Sequence, residues 1–432
     1  MREMKETGIT WFPRIPVEWQ TGRIKDILSV LTDYTANGSF GDLAKNVTYL
    51  DYEDYARLVR LTDLRENLKN MGVYVDEAGY NYLSKSSLFG GEILVANVGA
   101  YAGLFCEMPT VDYPATLAPN MFLLRTNNVM VQHYLLYVGL SSFVWEQLCQ
   151  KAISSAQPKL NKTDVKTTFI PIPPIDEQKR IADYLDIKCA EFDSTISDIL
   201  SQIETLEEYK RSVITEAVTK GLDPDVEMKE SGVQWISKMP VHWNCQRGKY
   251  ILRYVQKPVR DDDGVITCFR DGEVTLRSNR REEGFTMADK EIGYQGIDVG
   301  DLVVHGMDGF AGAIGISDSR GKASPVLNVL NTEQSKRYIM YYLRSMAYND
   351  VFVALATGIR VRSCDLRWNK LAELLYPLPP IEEQQAIVEH IDSVLERTNA
   401  IITEKKQQIE TIEEYKKSLI FEYVTGKKEV QD

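Results

Sequence analysis

Two long stretches of this chain carry apolar residues in a 3-4 rhythm, and neither contains a Gly or a Pro. In 175–220 the rhythm runs through Ile199, Ile203, Leu206, Val213 and Ala217, with Lys210 in register. In 381–425 it runs through Ile409, Ile412, Leu419 and Tyr423, with Lys416 in register. A stripe sustained over three or more heptads predicts a coiled-coil helix. The proline clusters "PIPPIDEQ" (171–178) and "PLPPIEEQ" (377–384) bar either helix from extending upstream, and the acids that follow suit a first helical turn. Each helix can reach about 43 residues, roughly 65 Å at 1.5 Å per residue. A lone helix of that length leaves its stripe in water. The expectation is therefore that the two pack antiparallel, with Ile199, Ile203, Leu206 and Val213 on one side of the seam and Ile409, Ile412 and Leu419 on the other. Lys210 and Lys416 would snorkel at its margin.

The remaining chain follows a different pattern. "GEILVANV" (91–98), "GDLVVHGM" (300–307) and "MFLLRT" (121–126) are short apolar runs that read as strands, whereas 130–149 and 335–356 read as helices. The predicted class is α+β: two similar α/β domains separated by two long antiparallel coiled-coil helices. The boundaries fall at 1–172 for the first domain, 173–220 for the first helix and 221–230 for a linker. The second domain takes 231–378 and the second helix 379–426.

The halves repeat. Pro173–Thr219 aligns with Pro379–Thr425 without a gap, with 21 identities in 47 positions. "IETLEEYKRS" (203–212) returns as "IETIEEYKKS" (409–418). Ahead of each helix, "TGITWFPRIPVEWQTGRIK" (7–25) matches "SGVQWISKMPVHWNCQRGK" (231–249), and "GEILVANVGAYAG" (91–103) resembles "GDLVVHGMDGFAG" (300–312). The chain reads as a duplicated half with an internal pseudo-two-fold. The repeat is far longer than a solenoid unit. A stalk serving only homodimerisation would give similar helices, but a gapless repeat within one chain favours an internal pair.

Charge divides along the same boundaries. The net charge is −12 over 432 residues, which taken whole argues against nucleic acid. Residues 173–229 carry −7 and 379–432 carry −5, whereas 1–172 and 230–378 carry −2 and +2. The helices therefore hold the acidic excess and the domains sum to zero. Six cysteines, with no C-x-x-C, exclude a disulfide framework or zinc site and read as buried thiols. No apolar run reaches membrane-spanning length and the N-terminus lacks a signal-peptide core, so a cytoplasmic protein is expected.

Candidate chemistry lies in polar, basic loops. "SSAQPKLNKTDVK" (154–166) supplies Gln157, Lys159, Asn161 and Lys162, and Lys85, Asn97 and Tyr101 lie elsewhere in the first domain. In the second, "TLRSNRREEGF" (275–285) supplies Arg277, Asn279, Arg280 and Arg281, "GIRVRSCDLRWNK" (358–370) supplies Arg360, Arg362 and Arg367, and His305 ends a strand. Arg and Asn are the types that read base edges bidentately, and Lys, Arg, Ser and Thr suit phosphates. Each such residue alone reads as ordinary loop chemistry; the grouping is what points to DNA. No Walker, Rossmann or N-P-P-[YF] motif is present. "PDVEMK" (224–229) crowds Asp225 and Glu227 into a linker rather than onto neighbouring strands, which argues against a nuclease centre. No metal ligands are assigned.

The whole layout resembles the specificity (S) subunit of type I restriction–modification enzymes. The resemblance rests on Trp11–Trp19 and Trp235–Trp243, each W-x-x-x-x-P-x-x-W, on the P-[IL]-P-P-I-[DE]-E-Q helix starts, and on the twice-written E-E-Y-K. "GLDPDVEMKESGVQWISKMPVHW" (221–243) looks like the family's linker, and "GDLVVHGMDGFAGAIGIS" (300–317) like the interior of a target-recognition domain. The resemblance implies two domains that each read half of a split sequence in double-stranded DNA. The helices would set the gap and dock two methyltransferase (M) subunits. It implies S-adenosylmethionine in the M subunits, and ATP and magnesium in motor-nuclease (R) subunits that join through them. This chain would carry no cofactor and no catalysis. Base-reading residues differ between members, so none transfers by motif. The alternative is a non-catalytic coiled-coil adaptor whose domains bind protein; a self-contained nuclease or methylase is a third reading.

Overall fold

The long helices run Ile175–Lys220 and Ile381–Val424 in the computed structural model, which describes residues 2–152, 158–280, 292–355 and 366–430. The backbone N–H groups of Glu177 and Gln178 both donate to the Pro174 carbonyl, closing the first turn behind the prolines. The first helix stops at Gly221, whose φ of +78° is the left-handed C-terminal conformation that glycine adopts without strain. Among the described residues, no helix is long and apolar enough to cross a membrane.

The chain divides into two units, 1–198 with 407–432, and 199–406. Each contains the start of one long helix and the end of the other. In the first unit the Tyr184 and Tyr423 rings lie 4.6 Å apart and Phe192 and Tyr415 5.5 Å apart. Moving eight residues forward on one helix moves eight back on the other, so the pair is antiparallel. Lys416 Nζ reaches Asp193 at 2.6 Å. In the second unit Lys405 donates to Gln202, and Ile214, Ala217 and Val218 share a core with Ile387, Val388 and Ile391. Ile199 and Leu419 are buried; Ile203, Leu206, Val213, Ile409 and Ile412 are half-buried. Two helices alone cover only the inner flank of such side chains, which leaves the outer flank wet. Lys210 is paired with Glu207 at 2.9 Å on its own helix.

Both domains are built on one central antiparallel sheet. In the first unit its order is Leu28–Asp33, Met121–Thr126, Ile93–Ala96, Phe105–Glu107. In the second it is Arg253–Tyr254, Leu327–Asn331, Leu302–His305, Ile314–Ile316, the same order in the repeat. Ile93–Ala96 is buried along its whole length. A strand covered on both faces reads as a continuous apolar run rather than an alternation. The second layer differs between the units. The first has a four-stranded sheet with Ala115–Leu117 parallel to Ala56–Val59; the second has two separate antiparallel pairs, Ile266–Cys268 with Val274–Leu276 and Gln295–Ile297 with Gly321–Ala323.

The helix expected over 130–149 is two, Gln132–Leu140 and Ser142–Ala152, because the Ser141 hydroxyl turns back onto the Val138 carbonyl. Its counterpart stops at Lys336–Tyr348 and restarts at Val351 after Asp350, whose φ is +54°. Cys189 and Cys268 are buried, but Cys106, Cys149 and Cys245 are only half-buried; all five are free thiols, and Cys364 lies outside the described residues.

Candidate nucleic-acid interface

Each domain grips the long helices through the same set of side chains. The paired tryptophan motif places Trp19 and Trp243 at zero exposure, and their indole N–H groups donate to Glu177 (2.8 Å) and Glu383 (3.0 Å) in the first helical turns. The next residues, Gln178 and Gln384, are fully buried. Gln178 accepts from the Val131 N–H at 2.7 Å and donates to the Val129 and Pro173 carbonyls at 2.9 Å. Gln384 accepts from Ser335 N–H and donates to Pro379 O, both at 3.0 Å. A buried amide satisfied on both sides fixes the angle at which the helix leaves its domain.

Two tyrosines grip the other helix end. The Tyr134 hydroxyl donates to the Val424 carbonyl at 3.4 Å, and the Tyr338 hydroxyl to the Val218 carbonyl at 3.2 Å. Burial pushes both phenols well above their ordinary range. One helical turn further on, Tyr137 donates to Asp186 at 2.6 Å and Tyr341 to Asp392. The residue before each gripping tyrosine completes the clasp differently. Arg337 donates to Asp392 at 2.6 Å, whereas the His133 ring bridges Glu107 at Nδ1 and Asp186 at Nε2, both at 2.7 Å.

Beyond these anchors lie the candidate DNA-contacting residues. Asn97, Lys159, Asn161 and Lys162 line one cleft of about 290 Å³, with Asp33, Tyr34, Phe40 and Asn120 among the other walls. Backbone pairing of Val98 with Lys159, and of Leu160 N–H with Asn97 O, ties their two loops together. Within the cleft Asn161 caps the short helix Lys162–Lys166 by accepting from Thr163 and Asp164 N–H, and Lys162 pairs with Asp33 at 3.0 Å. Lys159 is exposed. Asn97 Oδ1 is buried with no hydrogen-bond partner among the described atoms. Lys85 bonds the Ala36 carbonyl at 3.1 Å, next to Thr35 of the cleft wall. Tyr101 stands apart and holds Arg65 over its ring at 4.4 Å. Arg65 escaped the sequence reading because no repeat or basic run surrounds it. Gln157 lies outside the described residues.

In the second domain Arg277 and Asn279 sit on a tight turn after the strand Val274–Leu276. Asn279 donates to Thr275 at 2.9 Å. Arg280 lies over Phe269 at 4.2 Å and is neutralised by Asp271 and Glu273. The Asp271 carboxyl is pulled below its usual range: burial opposes this, and the bonds from Arg280 and the Glu273 N–H prevail. His305 accepts at Nδ1 from the N–H groups of Met307 and Asp308, and burial lowers its pKa, so it shapes its own turn as a neutral ring. Arg367 is exposed beside the short helix Trp368–Leu371. Arg281, Arg360 and Arg362 lie outside the described residues. A larger cleft of about 920 Å³ in this unit brings Arg270, Asp271 and Arg344 to face Lys210 and Arg211 of the first long helix.

Residues 16–208 and 300–411 match the family model described as the type I restriction modification DNA specificity domain. The chain belongs to that specificity family. Two curated relatives in Methanocaldococcus jannaschii span almost all of it. One, the putative type I restriction enzyme MjaX specificity subunit, is 24% identical and covers 96% of this chain and 94% of its own. The other, the MjaVIII specificity subunit, is 24% identical over 97% of this chain and 95% of its own. A chain in a solved structure of the type I R-M system superposes with a TM-score of 0.66 at 16% identity, over 95% of this chain and 99% of that one. The specificity-family fold thus extends over nearly the whole length, repeat and helices included.

Proposed function

We propose that this protein is the DNA-reading subunit of a type I restriction–modification complex, with each domain reading one half of a bipartite double-stranded target. The observation that carries this reading is the pairing of identical anchors with unlike outer layers. Trp19–Glu177 and Trp243–Glu383, Gln178 and Gln384, and Tyr134 and Tyr338 hold both domains to the helices in the same way. The second layers differ in how their strands are joined, one four-stranded sheet in the first unit and two separate two-stranded pairs in the second. A common mount with unlike reading heads suits one mechanism applied to two different half-sites.

The acidic helices act as the spacer and as the dock for two methyltransferase subunits. A stretch of net −7 does not favour lying along phosphates but suits a protein partner. Catalysis, S-adenosylmethionine, ATP and magnesium belong to the methyltransferase and motor-nuclease partners; this chain positions them in the cytoplasm over the target. Basic side chains at the loops contact phosphate and base edges, with Lys159 exposed on the first domain and Arg367 on the second. Encounter with DNA draws on partner charge as well, because the two domains together are electrically neutral.

Exchanging residues 1–172 for the equivalent domain of another specificity subunit tests this. Mapping methylated sites in a host expressing the hybrid should show one half-site replaced and the other retained. Replacement of both half-sites, or of neither, would overturn the modular reading. Sequence-dependent, salt-sensitive DNA binding by the assembled complex would exclude the adaptor reading.

A further inference from the structure

The segment between the strands Ala56–Val59 and Tyr74–Val75 is built as a rigid loop, although "RLTDLRENLKNMG" (60–72) carries no repeat and no basic run. Leu61, Leu64 and Leu68 pack against the core around Leu88, Leu94 and Leu117. Asp63 is fully buried. Its carboxylate accepts from the Arg60 backbone N–H at 2.8 Å, from the Arg60 guanidinium at 2.8 and 3.0 Å, and from Asn70 Nδ2 at 2.7 Å. Arg57, itself buried, donates to the Leu68 and Asn70 carbonyls at 2.8 and 3.0 Å. These bonds hold Asn67 and Leu68 in succession at φ of +50° and +58°, a conformation that leucine adopts only under strain. Such strain persists where the surroundings over-determine it, and it gathers at binding sites.

The loop presents Arg65, which is exposed. The short helix Leu61–Arg65 ends there, and the guanidinium lies over the Tyr101 ring, 4.4 Å from its centroid. Among the described residues no carboxylate pairs with it. Tyr101 is 43% exposed. It lies in the loop that begins at Asn97, a wall of the cleft that Lys159 and Lys162 share. That loop is tied to the next by Gly99 N–H on the Pro158 carbonyl at 2.9 Å and Leu160 N–H on the Asn97 carbonyl at 2.8 Å. The loops 60–72, 97–104 and 158–162 are therefore joined in a row. An exposed cation–aromatic contact by itself stabilises only weakly and does not call for a strained loop built around a buried carboxylate.

We infer that Arg65 is a base-reading residue of the first domain, that it contacts O6 and N7 of one guanine in the major groove, and that Tyr101 is its positioning residue. This rests on the DNA-reading function proposed above and names one contact within it. The planar guanidinium fork matches the two acceptors of guanine, which a lysine ammonium does not. A phosphate contact asks for charge and gives no sequence information. Stacking on Tyr101 fixes the plane of the fork before DNA arrives, so less freedom is lost on binding. Phe310, at the repeat position of Tyr101, shares a cleft with Arg270 and Arg344, so an aromatic ring in the company of arginine recurs in the second domain.

The exchange of residues 1–172 assigns the half-site of the first domain. Variants of the full chain are then read by methylation mapping, and by binding of the assembled complex to duplexes altered one base pair at a time. Arg65→Ala should make one G·C position of that half-site degenerate, with discrimination there falling about 5- to 150-fold and every other position retained. Arg65→Lys should relax the same position while keeping the salt dependence of binding, because the charge remains and the fork is lost. Tyr101→Leu should weaken discrimination at that position alone, and Tyr101→Phe, which keeps the ring, should preserve it. The second half-site, read normally by all four variants, reports that each is folded. A first half-site without any G·C pair would overturn the inference, as would Arg65→Ala leaving every position as selective as before. A uniform loss of affinity in Arg65→Ala, repaired in Arg65→Lys, would make Arg65 a phosphate contact and overturn base reading. Equal relaxation by Tyr101→Phe and Tyr101→Leu would remove Tyr101 from its role. Each of these results leaves the functional reading standing. No sequence-dependent methylation by the complex of the unaltered chain, or an exchange that moves both half-sites or neither, would sink the functional reading together with this inference.

Discussion

His133 makes the tyrosine clasp of the first unit sensitive to pH, whereas Arg337 at the same place in the second stays charged. A neutral imidazole has one N–H, yet both ring nitrogens lie 2.7 Å from a carboxylate oxygen, of Glu107 and of Asp186. Only the imidazolium satisfies both. Burial acts to lower the His133 pKa, but the Asp186 and Glu107 carboxylates outweigh it and hold it above the ordinary value. The other group facing the ring, the Tyr137 hydroxyl, already donates to Asp186 and cannot replace the lost charge. A raised folded-state pKa gives stability that is complete below the unfolded value of about 6.5 and is lost as pH rises through the folded value. The side chain is 34% exposed, so each contact is credited only as a partly screened pair, about 0.5 kcal/mol, and the clasp with about 1 kcal/mol. For a body of this size that is a fall of about 2–4 °C in unfolding temperature. Scanning calorimetry of the full chain from pH 6 to 9 should show this fall in the first unit. His133→Arg, which copies Arg337 at the equivalent place, should remove it, and Arg337→His should introduce it in the second unit. His305 does not confuse the window: its pKa is lowered, so its contribution changes only below about pH 6.5. If the unaltered chain and His133→Arg track each other from pH 6.5 to 9, the imidazolium argument is wrong.

Other consequences follow from the anchors and the loops. Trp19→Phe keeps the ring but strips the buried Glu177 of its indole donor, and a loss of about 1–3 kcal/mol is expected in urea unfolding, with Trp243→Phe behaving alike through Glu383. Gly139→Ala would place a methyl 2.1 Å from the Phe105 ring and should cost about 1–3 kcal/mol by the same assay. Lys159→Ala should weaken DNA binding by the assembled complex and flatten its salt dependence by about one unit of slope; Arg280→Ala, which removes an arginine already neutralised by Asp271 and Glu273, should leave that slope unchanged. Matched four-residue insertions after Ser201 and Gln407 lengthen both helices by about 6 Å, close to two base pairs, and methylation mapping should show a wider gap between unchanged half-sites.

The helices were legible in the sequence because the signal repeats over many turns. The 3-4 rhythm names Ile199 and Leu419, which are buried, and the prolines and Gly221 mark the ends. The duplication itself was equally plain. The purpose of the repeated letters was less so. Glu177 read as an acid suited to a first turn and Gln178 as part of the shared helix start, yet their side chains bond Trp19 and the loop at Val129–Val131, contacts far away in sequence. Local pattern carries no information about such partners. The basic loops were the least legible part, for a chemical reason. The residue types that read bases also cap helices and turns. Asn161 is occupied at a helix start, His305 within its own turn and Arg280 with two acids. No composition rule separates those roles, and Arg65 over Tyr101 shows the converse, a cation–aromatic surface that no motif announces.

The make-up of the first unit also constrains how the molecule is made. Its core includes Leu419, Ile420, Tyr423 and Val424 beside Tyr134, Ile181 and Leu185. A ribosome adding about 5–20 residues per second reaches those positions some 10–40 s after it has passed residue 198. Throughout that interval the first domain has an apolar flank that only the late helix can cover. The nascent chain is then exposed to chaperones, to premature pairing with a second nascent copy, and to proteases. Synonymous changes that slow elongation between 199 and 406 would lengthen the exposure without altering a single amino acid.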